Sequence, residues 1–211
     1  MQAKEHWEKI YSEKAPDSLS WFQEQAGPSL KLTREAAASE SSAIIDAGGG
    51  ASALVRDLMK AGYTNLTVLD LSGSALEAAK AQAGSAAENI RWIEDDVLTC
   101  RLPEKSFDIW HDRAVFHFLT LETDRIAYRE KVLGALKPCG YLIMAVFAED
   151  GPEKCSGLPV VRYSPERLSE ALGKSFTLLH HEDDFHRTPS GNVQHFIFCT
   201  FQLTTLPDDS R

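Results

Sequence analysis

A run of three glycines at positions 48–50, directly after a short apolar segment, constrains this chain more than any other feature. The residues before it, Ile44, Ile45 and Asp46, predict a buried strand that ends in an acid. Ser52 opens a stretch rich in Ala and Leu, which predicts a helix with Ser52 at its N-cap. Because glycine adopts positive φ and has no Cβ, a ligand can lie directly against such a turn. The sequence therefore predicts a strand, a tight turn and a helix N-terminus that face a nucleotide-like ligand.

Two ligand classes fit this turn. Gly48, Gly50 and Ala53 match G-x-G-x-x-A, the fingerprint of dinucleotide-binding folds. Asp46, Gly48 and Gly50 also match D-x-G-x-G, which resembles motif I of the class I S-adenosylmethionine-dependent methyltransferases. A carboxylate just before the glycines would lie close to the pyrophosphate of a dinucleotide, whereas it favours the ammonium and sulfonium groups of S-adenosylmethionine. On this resemblance Asp46 lies near the methionine moiety, and Gly48 and Gly50 admit it.

A second acid ends the next predicted strand, Leu66–Asp70, about 20 residues after the glycines. Doubly wound folds place there the carboxylate that binds ribose hydroxyls, so Asp70, with Leu71 beside it, is a predicted cofactor residue. The alternative is that Asp70 only caps the following helix, for which Ser74 and Glu77 form a capping box.

A third pair of acids follows the predicted strand at 90–93. The methyltransferase resemblance implies that Asp96 accepts a hydrogen bond from the adenine amino group, with Val97 next to it. Asp95 stands where the family often has Gly, and the sequence leaves open which of the two acids contacts adenine.

The fourth predicted strand, from Phe107, ends in His111, Asp112 and Arg113, and His117 follows in a short helical stretch. The carboxyl edge of an open α/β sheet is where ligands bind. Asp112, which the resemblance also places beside the cofactor, and His117 are thus the predicted catalytic residues, with His111 as a third candidate. A purely structural role is the alternative for each.

Aromatic residues are dense ahead of the first strand. His6, Trp7, Tyr11, Trp21 and Phe22 resemble the entry of the methyltransferase branch that includes protein-lysine methyltransferase-like proteins, in which this segment wraps over the cofactor. One interpretation is a lid in which Tyr11, Trp21 or Phe22 contacts the cofactor or the acceptor, with Trp21 as the predicted cofactor residue. The alternative is that these side chains pack against the core.

Strands and helices alternate through a fifth strand at 141–146, and a helix from Ser164 and two strands at 176–181 and 195–201 follow. This order predicts an α/β fold, a doubly wound, Rossmann-like seven-stranded sheet closed by a C-terminal antiparallel strand pair. We predict an N-terminal helical and aromatic lid segment at 1–42, a class I methyltransferase domain at 43–203 and a frayed tail at 204–211. The long segment 147–161, at the active edge of the sheet, is predicted to be functional.

The composition and charge disfavour several other classes of protein. The net charge of −9 and the lack of a basic run disfavour nucleic acid and anionic membranes as partners. The four scattered cysteines form no C-x-x-C pair, which disfavours a metal site and a disulfide scaffold. Without an apolar run of membrane-spanning length or a secretory leader, the sequence predicts a cytoplasmic protein.

The predicted function is direct transfer of the methyl group of S-adenosylmethionine to an acceptor. The short chain suggests a small-molecule acceptor, and the aromatic N-terminus suggests a lysine of a partner protein. The rivals are a nicotinamide-dependent oxidoreductase and a protein that binds the cofactor without catalysis. The acceptor and the oligomeric state stay open.

Overall fold

A computed structural model describes residues 2–204 of the 211-residue chain. The helices are α1 Gln2–Glu13, α2 Gly27–Ala36, α3 Leu54–Lys60, α4 Gly73–Ala83, α5 Glu122–Ala135 and α6 Pro165–Leu172. The strands are β1 Ile44–Ala47, β2 Leu66–Asp70, β3 Arg91–Glu94, β4 Phe107–Arg113, β5 Leu136–Phe147, β6 Lys154–Cys155, β7 Leu158–Pro159, β8 Phe176–Arg187 and β9 Val193–Leu203. Three further segments, 16–18, 84–89 and 116–118, are 3₁₀ turns.

One seven-stranded sheet runs in the order β3-β2-β1-β4-β5-β9-β8, and β6 and β7 form a separate antiparallel pair. Strands β1 to β5 pair in parallel, and β9 runs antiparallel to β5 and to β8. This confirms the predicted doubly wound, Rossmann-like architecture with its C-terminal antiparallel pair. Because the parallel strands all end at one edge, the residues after β1, β2, β3 and β4 lie close together.

Two apolar layers sandwich the sheet. One contains Tyr128 and Val132 of α5 together with Trp110 of β4, and the other contains Leu32 of α2 and Leu54 of α3. Strands β1 and β2 are buried at every position, since helices cover both faces of a parallel sheet.

The register between β1 and β4 determines which polar residues share a face. Asp46 lies opposite His111, and Ala47 lies opposite Asp112. Because side chains alternate between the two faces of a strand, His111 and Arg113 lie on the face of Asp46, towards α2, and Asp112 lies on the other, towards α5.

Several local predictions need correction. Ala53, not Ser52, is the N-cap of α3, although the Ser52 Oγ accepts a hydrogen bond from the Leu54 N–H. For α4 the cap is Ser72, whose Oγ accepts from Ala75 N–H at 3.1 Å, and not the predicted box at Ser74. Several residues near each helix start can serve as the N-cap, so the sequence does not determine the cap position to within one or two residues.

The C-terminal strands are longer than predicted. Residues 182–187, which lie beyond the predicted end of the strand at 176–181, continue β8, because their partners at 193–198 in β9 extend the ladder. The predicted irregular segment 147–161 contains the β6–β7 hairpin. Residues 205–211 of the predicted frayed tail and Met1 lie outside the described residues. No helix within 2–204 has the length and apolar character needed to cross a membrane.

Candidate active site

A cavity of about 430 Å³ lies at the carboxyl edge of the parallel strands. This volume falls within the range of pockets that hold cofactors and small molecules, about 300–1,000 Å³. Its walls come from the ends of β2, β3 and β4, from α1 and from the β6–β7 hairpin. Of the predicted cofactor residues it is lined by Gly48, Asp70, Leu71, Asp96, Val97 and Trp21.

The glycine turn between β1 and α3 forms the floor of this cavity. Gly48 has φ +72°, which L side chains rarely adopt, and a Cβ there would overlap the side chain of Val115. Its N–H donates to the Leu69 carbonyl at 2.7 Å, which holds the turn against the end of β2. The backbone of Gly48 is therefore fixed at the cavity wall, and Val115 fills the space that a Cβ would need.

Asp70 ends β2 beside the same turn. Its Oδ2 accepts a hydrogen bond from the Gly50 N–H at 2.9 Å, and its Oδ1 accepts one from the Ser72 N–H at 2.8 Å. Burial raises the pKa of Asp70 to about 6, although these two hydrogen bonds favour the charged form. The carboxylate is thus oriented by the backbone and lines the cavity with acceptor capacity to spare.

At the end of β3, Asp95 and Asp96 both line the cavity. Asp96 Oδ1 accepts from the Leu98 N–H at 2.9 Å, and Asp95 Oδ1 accepts from the Asp96 N–H at 2.8 Å. Each acid therefore uses one oxygen to hold the turn, and the choice between them for adenine stays a prediction.

Asp46 does not line the main cavity. It lines a side cavity of about 30 Å³ that shares Tyr11, Trp21, Gly48 and Arg113 with the main one. Its Oδ1 is 2.7 Å from His111 Nδ1, and His111 Nε2 is 2.9 Å from Ser29 Oγ. His111 is thus a structural support for Asp46 and lies outside both cavities.

Asp112, a predicted catalytic and cofactor residue, lies on the face of the sheet opposite to Asp46, towards α5, and outside both cavities. It is fully buried, and its Oδ2 accepts a hydrogen bond from the Tyr128 hydroxyl at 2.5 Å. Its carboxylate also accepts backbone hydrogen bonds from Val115 and Phe116, which close the 3₁₀ turn after β4. Burial raises the pKa of Asp112 to about 6. In this structure the carboxylate stabilises the turn after β4 and lines neither cavity, whereas the sequence interpretation places it beside a ligand.

His117, the other predicted catalytic residue, is fully buried and is also outside both cavities. Its ring packs against Phe118 and Phe147, with ring centroids 4.6 and 4.7 Å away. Burial, followed by the positive charge of Arg113, lowers the pKa of His117 to about 3. The imidazole is therefore neutral and enclosed by apolar groups.

The N-terminal aromatic residues form one cluster over the cavity. Trp7 contacts Phe118 and Trp21 edge-on, with centroids 5.2 and 5.8 Å apart, and Tyr11 contacts Trp21 at 5.9 Å. These four side chains all line the cavity, but Phe22 does not. These aromatic side chains therefore pack against one another, as the core alternative expects, and also form a wall of the cavity, as the lid alternative expects.

Several cavity residues were missed by sequence reasoning. Arg113 projects from the end of β4, Cys155 and Leu158 come from the β6–β7 hairpin, and Gln194 and Phe196 come from β9. For Arg113 the alternation of β4 was the available signal. The hairpin and β9 residues reach the cavity because of the path that the chain takes after β5. No local sequence pattern predicts that path.

Comparison with known proteins decides between the two ligand classes. Residues 44–140, which include the glycine turn, Asp70 and Asp96, match the family described as methyltransferase domain. This match, over a little under half of the chain, favours a class I S-adenosylmethionine-dependent methyltransferase domain. Its sheet order and antiparallel end fit this class, and the comparisons favour it over the nicotinamide alternative.

Relatives and solved structures extend the similarity beyond this segment. EEF1A lysine methyltransferase 2 of Danio rerio is 26% identical over 155 residues, which span 67% of this chain and 66% of that protein, just under two thirds of it. A structure from work on the conversion of a disulfide bond into a thioacetal group in echinomycin biosynthesis has a TM-score of 0.78 at 18% identity, covering 98% of this chain and 94% of the other. The 1,6-didemethyltoxoflavin-N1-methyltransferase of Burkholderia thailandensis, with bound S-adenosylhomocysteine, has a TM-score of 0.70 at 19% identity, covering 97% and 85%. These two structures establish the likeness of fold.

Proposed function

We propose that this protein transfers the methyl group of S-adenosylmethionine to a small-molecule acceptor. The observation that carries the proposal is the cavity in which Gly48 and Asp70 lie together with an aromatic wall. The methyltransferase match over 44–140 supports the cofactor assignment.

We assign the cofactor to the half of the cavity nearest the glycine turn. Gly48 lines this half of the cavity. The two hydrogen bonds from Gly50 and Ser72 orient the Asp70 carboxylate at the cavity wall, where it fits a pair of ribose hydroxyls. Asp96 and Asp95 are the candidates for the adenine amino group, with Leu71 and Val97 as apolar walls. When bound, S-adenosylmethionine supplies a methyl group that its sulfonium already activates.

The remaining walls are assigned to the acceptor. Phe118, Leu158 and Phe196 offer apolar surface, and Gln194 offers an amide. Their role is to align a nucleophile and to exclude water. Burial raises the pKa of the Cys155 thiol to about 11, so that thiol is protonated at neutral pH and does not compete for the methyl group.

The proposal uses neither Asp112 nor His117 as a catalytic group, because both side chains point away from the cavity. A cytoplasmic location is part of the proposal and is supported by the four unpaired cysteines. Nucleic acid and membranes are not proposed partners.

The second candidate acceptor is a protein lysine, as in the sequence-based interpretation. The name of the Danio rerio relative, a lysine methyltransferase of EEF1A, favours it. The enclosing α1 and β6–β7 hairpin favour the small molecule, since a lysine side chain must enter from a partner surface.

Calorimetric titration with S-adenosylhomocysteine and with NADH in parallel tests the cofactor. We expect binding of S-adenosylhomocysteine alone, and binding of NADH alone would overturn the proposal. Incubation with isotopically labelled S-adenosylmethionine and metabolite or protein extracts, followed by mass spectrometry, then identifies the labelled acceptor. Label found only in protein would favour the lysine candidate, and binding without any labelled product would favour a non-catalytic binding protein.

A further inference from the structure

Four aromatic rings line the main cavity at steep angles to one another. The plane of the Trp7 ring is inclined by 79° to that of Trp21 and by 75° to that of Phe118, and Tyr11 is inclined by 73° to Trp21. The centroids of these pairs lie 5.2 to 5.9 Å apart, so the rings form adjoining walls rather than one flat stack. We call these four residues the aromatic box. Such walls suit a positively charged group, because the faces of aromatic rings carry partial negative charge.

The charged side chains of the same cavity also favour a cation. Among residues 2–204, those that line it are one guanidinium and four carboxylates, Arg113 and Asp70, Asp95, Asp96 and Asp124. A cleft with an excess of negative charge raises the local concentration of cations and disfavours anions. The cofactor carries one net positive charge, which leaves a negative excess for the acceptor to meet.

Arg113 does not offer an anion a partner inside the main cavity. Its Nη1 donates to the Trp21 carbonyl at 3.1 Å, and its Nε and Nη2 are shielded from solvent, without a hydrogen-bond partner in residues 2–204. The Phe196 ring lies against the guanidinium, with Cζ 4.8 Å from the ring centroid. Asp184, which lines neither cavity, is the carboxylate that most favours the charged form of Arg113. A phenolate or carboxylate acceptor would therefore enter a negative cavity without a donor from this arginine.

We propose that the acceptor is an amine and that the aromatic box holds its methylated, positively charged product. This inference rests on the proposed function and names the substrate class of the same site. An acceptor that arrives as an ammonium first loses its proton to solvent. The nitrogen lone pair then forms the new N–C bond to the methyl group while the C–S bond breaks and its electron pair stays on sulfur.

The movement of charge explains why the box favours this class. The positive charge passes from sulfur to nitrogen and stays beside the rings, whereas methylation of an oxygen or sulfur anion leaves a neutral product. A neutral amine also reacts without a general base, and none of the residues assigned above to the acceptor walls is one. The amine can belong to a small molecule, as proposed above, or to a lysine side chain.

The test uses calorimetry on the whole protein saturated with S-adenosylhomocysteine. The two probes are choline and 3,3-dimethylbutan-1-ol, which has the same shape without the charge. The wild type should bind choline roughly 10-fold more tightly, the size of one desolvated cation–π contact. Trp7→Leu should lose most of this preference, and Trp7→Phe should keep part of it. Trp92→Leu is the matched control, because Trp92 contacts a cation, Lys80, but lines neither cavity, and it should keep the full preference.

The binding outcomes separate the two proposals. If S-adenosylhomocysteine does not bind to the wild type, the proposed function fails and this inference fails with it. If it binds but choline and the alcohol bind equally, or if Trp92→Leu loses as much preference as Trp7→Leu, only the amine proposal is overturned. It is also overturned if Trp7→Leu keeps the choline preference and instead loses a preference for S-adenosylmethionine over S-adenosylhomocysteine, since the box would then serve the sulfonium. Should Trp7→Leu not fold, Phe118→Leu repeats the comparison from the opposite wall.

The labelled products of the extract experiment give the second readout. Label on the nitrogen of a metabolite would support a small-molecule amine, and label on a lysine nitrogen would support an amine from a protein. Label on oxygen or on sulfur would overturn the amine proposal and leave the methyltransferase function in place.

Discussion

The Ser74 hydroxyl on α4 donates a hydrogen bond to the Glu8 carboxylate on α1 at 2.6 Å. The same carboxylate accepts from the Gly73 and Ser74 N–H groups at the first residues of α4, at 2.5 and 3.3 Å. Burial acts to raise the pKa of Glu8, but these hydrogen bonds outweigh it and hold the pKa below its usual value. Through these hydrogen bonds, α1, which covers the cavity, is held against α4, which follows Asp70.

The first prediction is that Glu8→Gln loosens α1. Loss of the charge should cost about 0.5–1.5 kcal/mol of docking free energy and speed hydrogen exchange across residues 2–13. Glu13→Gln, at an exposed position on the same helix, should leave the exchange unchanged. Because the folded pKa of Glu8 is lowered, its stabilisation is present above the ordinary pKa and is lost as the pH falls through the folded value. Equal exchange in the two variants would contradict this role.

Cofactor binding should also protect the aromatic segment. Trp7, Tyr11 and Trp21 line the cavity, so a ligand adds apolar contacts to them. Hydrogen exchange across residues 2–22 should slow when S-adenosylhomocysteine is added. If protection is the same with and without it, the segment is ordinary core and the lid interpretation fails.

Asp70 gives a prediction for binding and its pH dependence. Asp70→Asn should weaken S-adenosylhomocysteine binding by about 1.5–3 kcal/mol, since neutral groups form weaker hydrogen bonds with ribose hydroxyls. The pKa of Asp70 in the free protein is about 6, and binding to the ionised carboxylate lowers it. Wild-type affinity should therefore fall as the pH falls through about 6 and level off above it. Calorimetry between pH 5 and 8 should show this slope in the wild type and a flatter one in Asp70→Asn.

Gly48 should be required for folding as well as for binding. Gly48→Ala places a Cβ at φ +72° and against Val115, so we expect a loss of stability of at least about 1 kcal/mol by thermal or urea denaturation. Gly134, inside α5 and with open space where an added Cβ would lie, is the matched control. Gly134→Ala should be neutral or stabilise by up to about 1 kcal/mol, because alanine favours helices. Similar losses in both variants would show that the turn is not specially constrained.

Tyr128→Phe tests the structural role of Asp112. Removing the hydroxyl takes away a donor to the buried carboxylate and the acceptor of the Trp110 Nε1–H, at 3.0 Å. We expect a loss of about 1–3 kcal/mol in stability with little change in affinity for S-adenosylhomocysteine. Tyr163→Phe removes a buried hydroxyl that has no partner among residues 2–204 and should be nearly neutral. A large loss of cofactor affinity in Tyr128→Phe alone would return Asp112 to the site.

The sequence predicted the parts of the site that local patterns encode. The glycine turn, Asp70 and the acids at 95–96 follow strand ends, and parallel strands bring their ends to one edge. It did not predict which of two neighbours, Asp112 or Arg113, lines the cavity. That choice depends on the register of β4 against β1, which is set by packing on both faces rather than by the residues themselves.

The sequence predicted that the segment 147–161 is functional, but not which of its residues line the cavity. Cys155 and Leu158 reach the cavity on the tight β6–β7 hairpin, and Gln194 reaches it on β9, which pairs with β8. Short polar segments with isolated apolar residues carry too weak a period to place them. The N-cap positions failed only locally, by one or two residues.

The alternation along β4 has a consequence for how this chain tolerates change. At consecutive positions, the strand places the Arg113 cation on the cavity face and the Asp112 anion on the α5 face. A shift of the strand by one residue would therefore change which charge lies beside the cavity. Inserting one residue before His111 would move His111 to the position that faces Tyr128 and bring the Asp112 carboxylate to the position of Arg113, on the face of Asp46, where two like charges repel. Point substitutions within β4 alter contacts one at a time, whereas a single-codon insertion there would reverse the polarity of the pocket in one step.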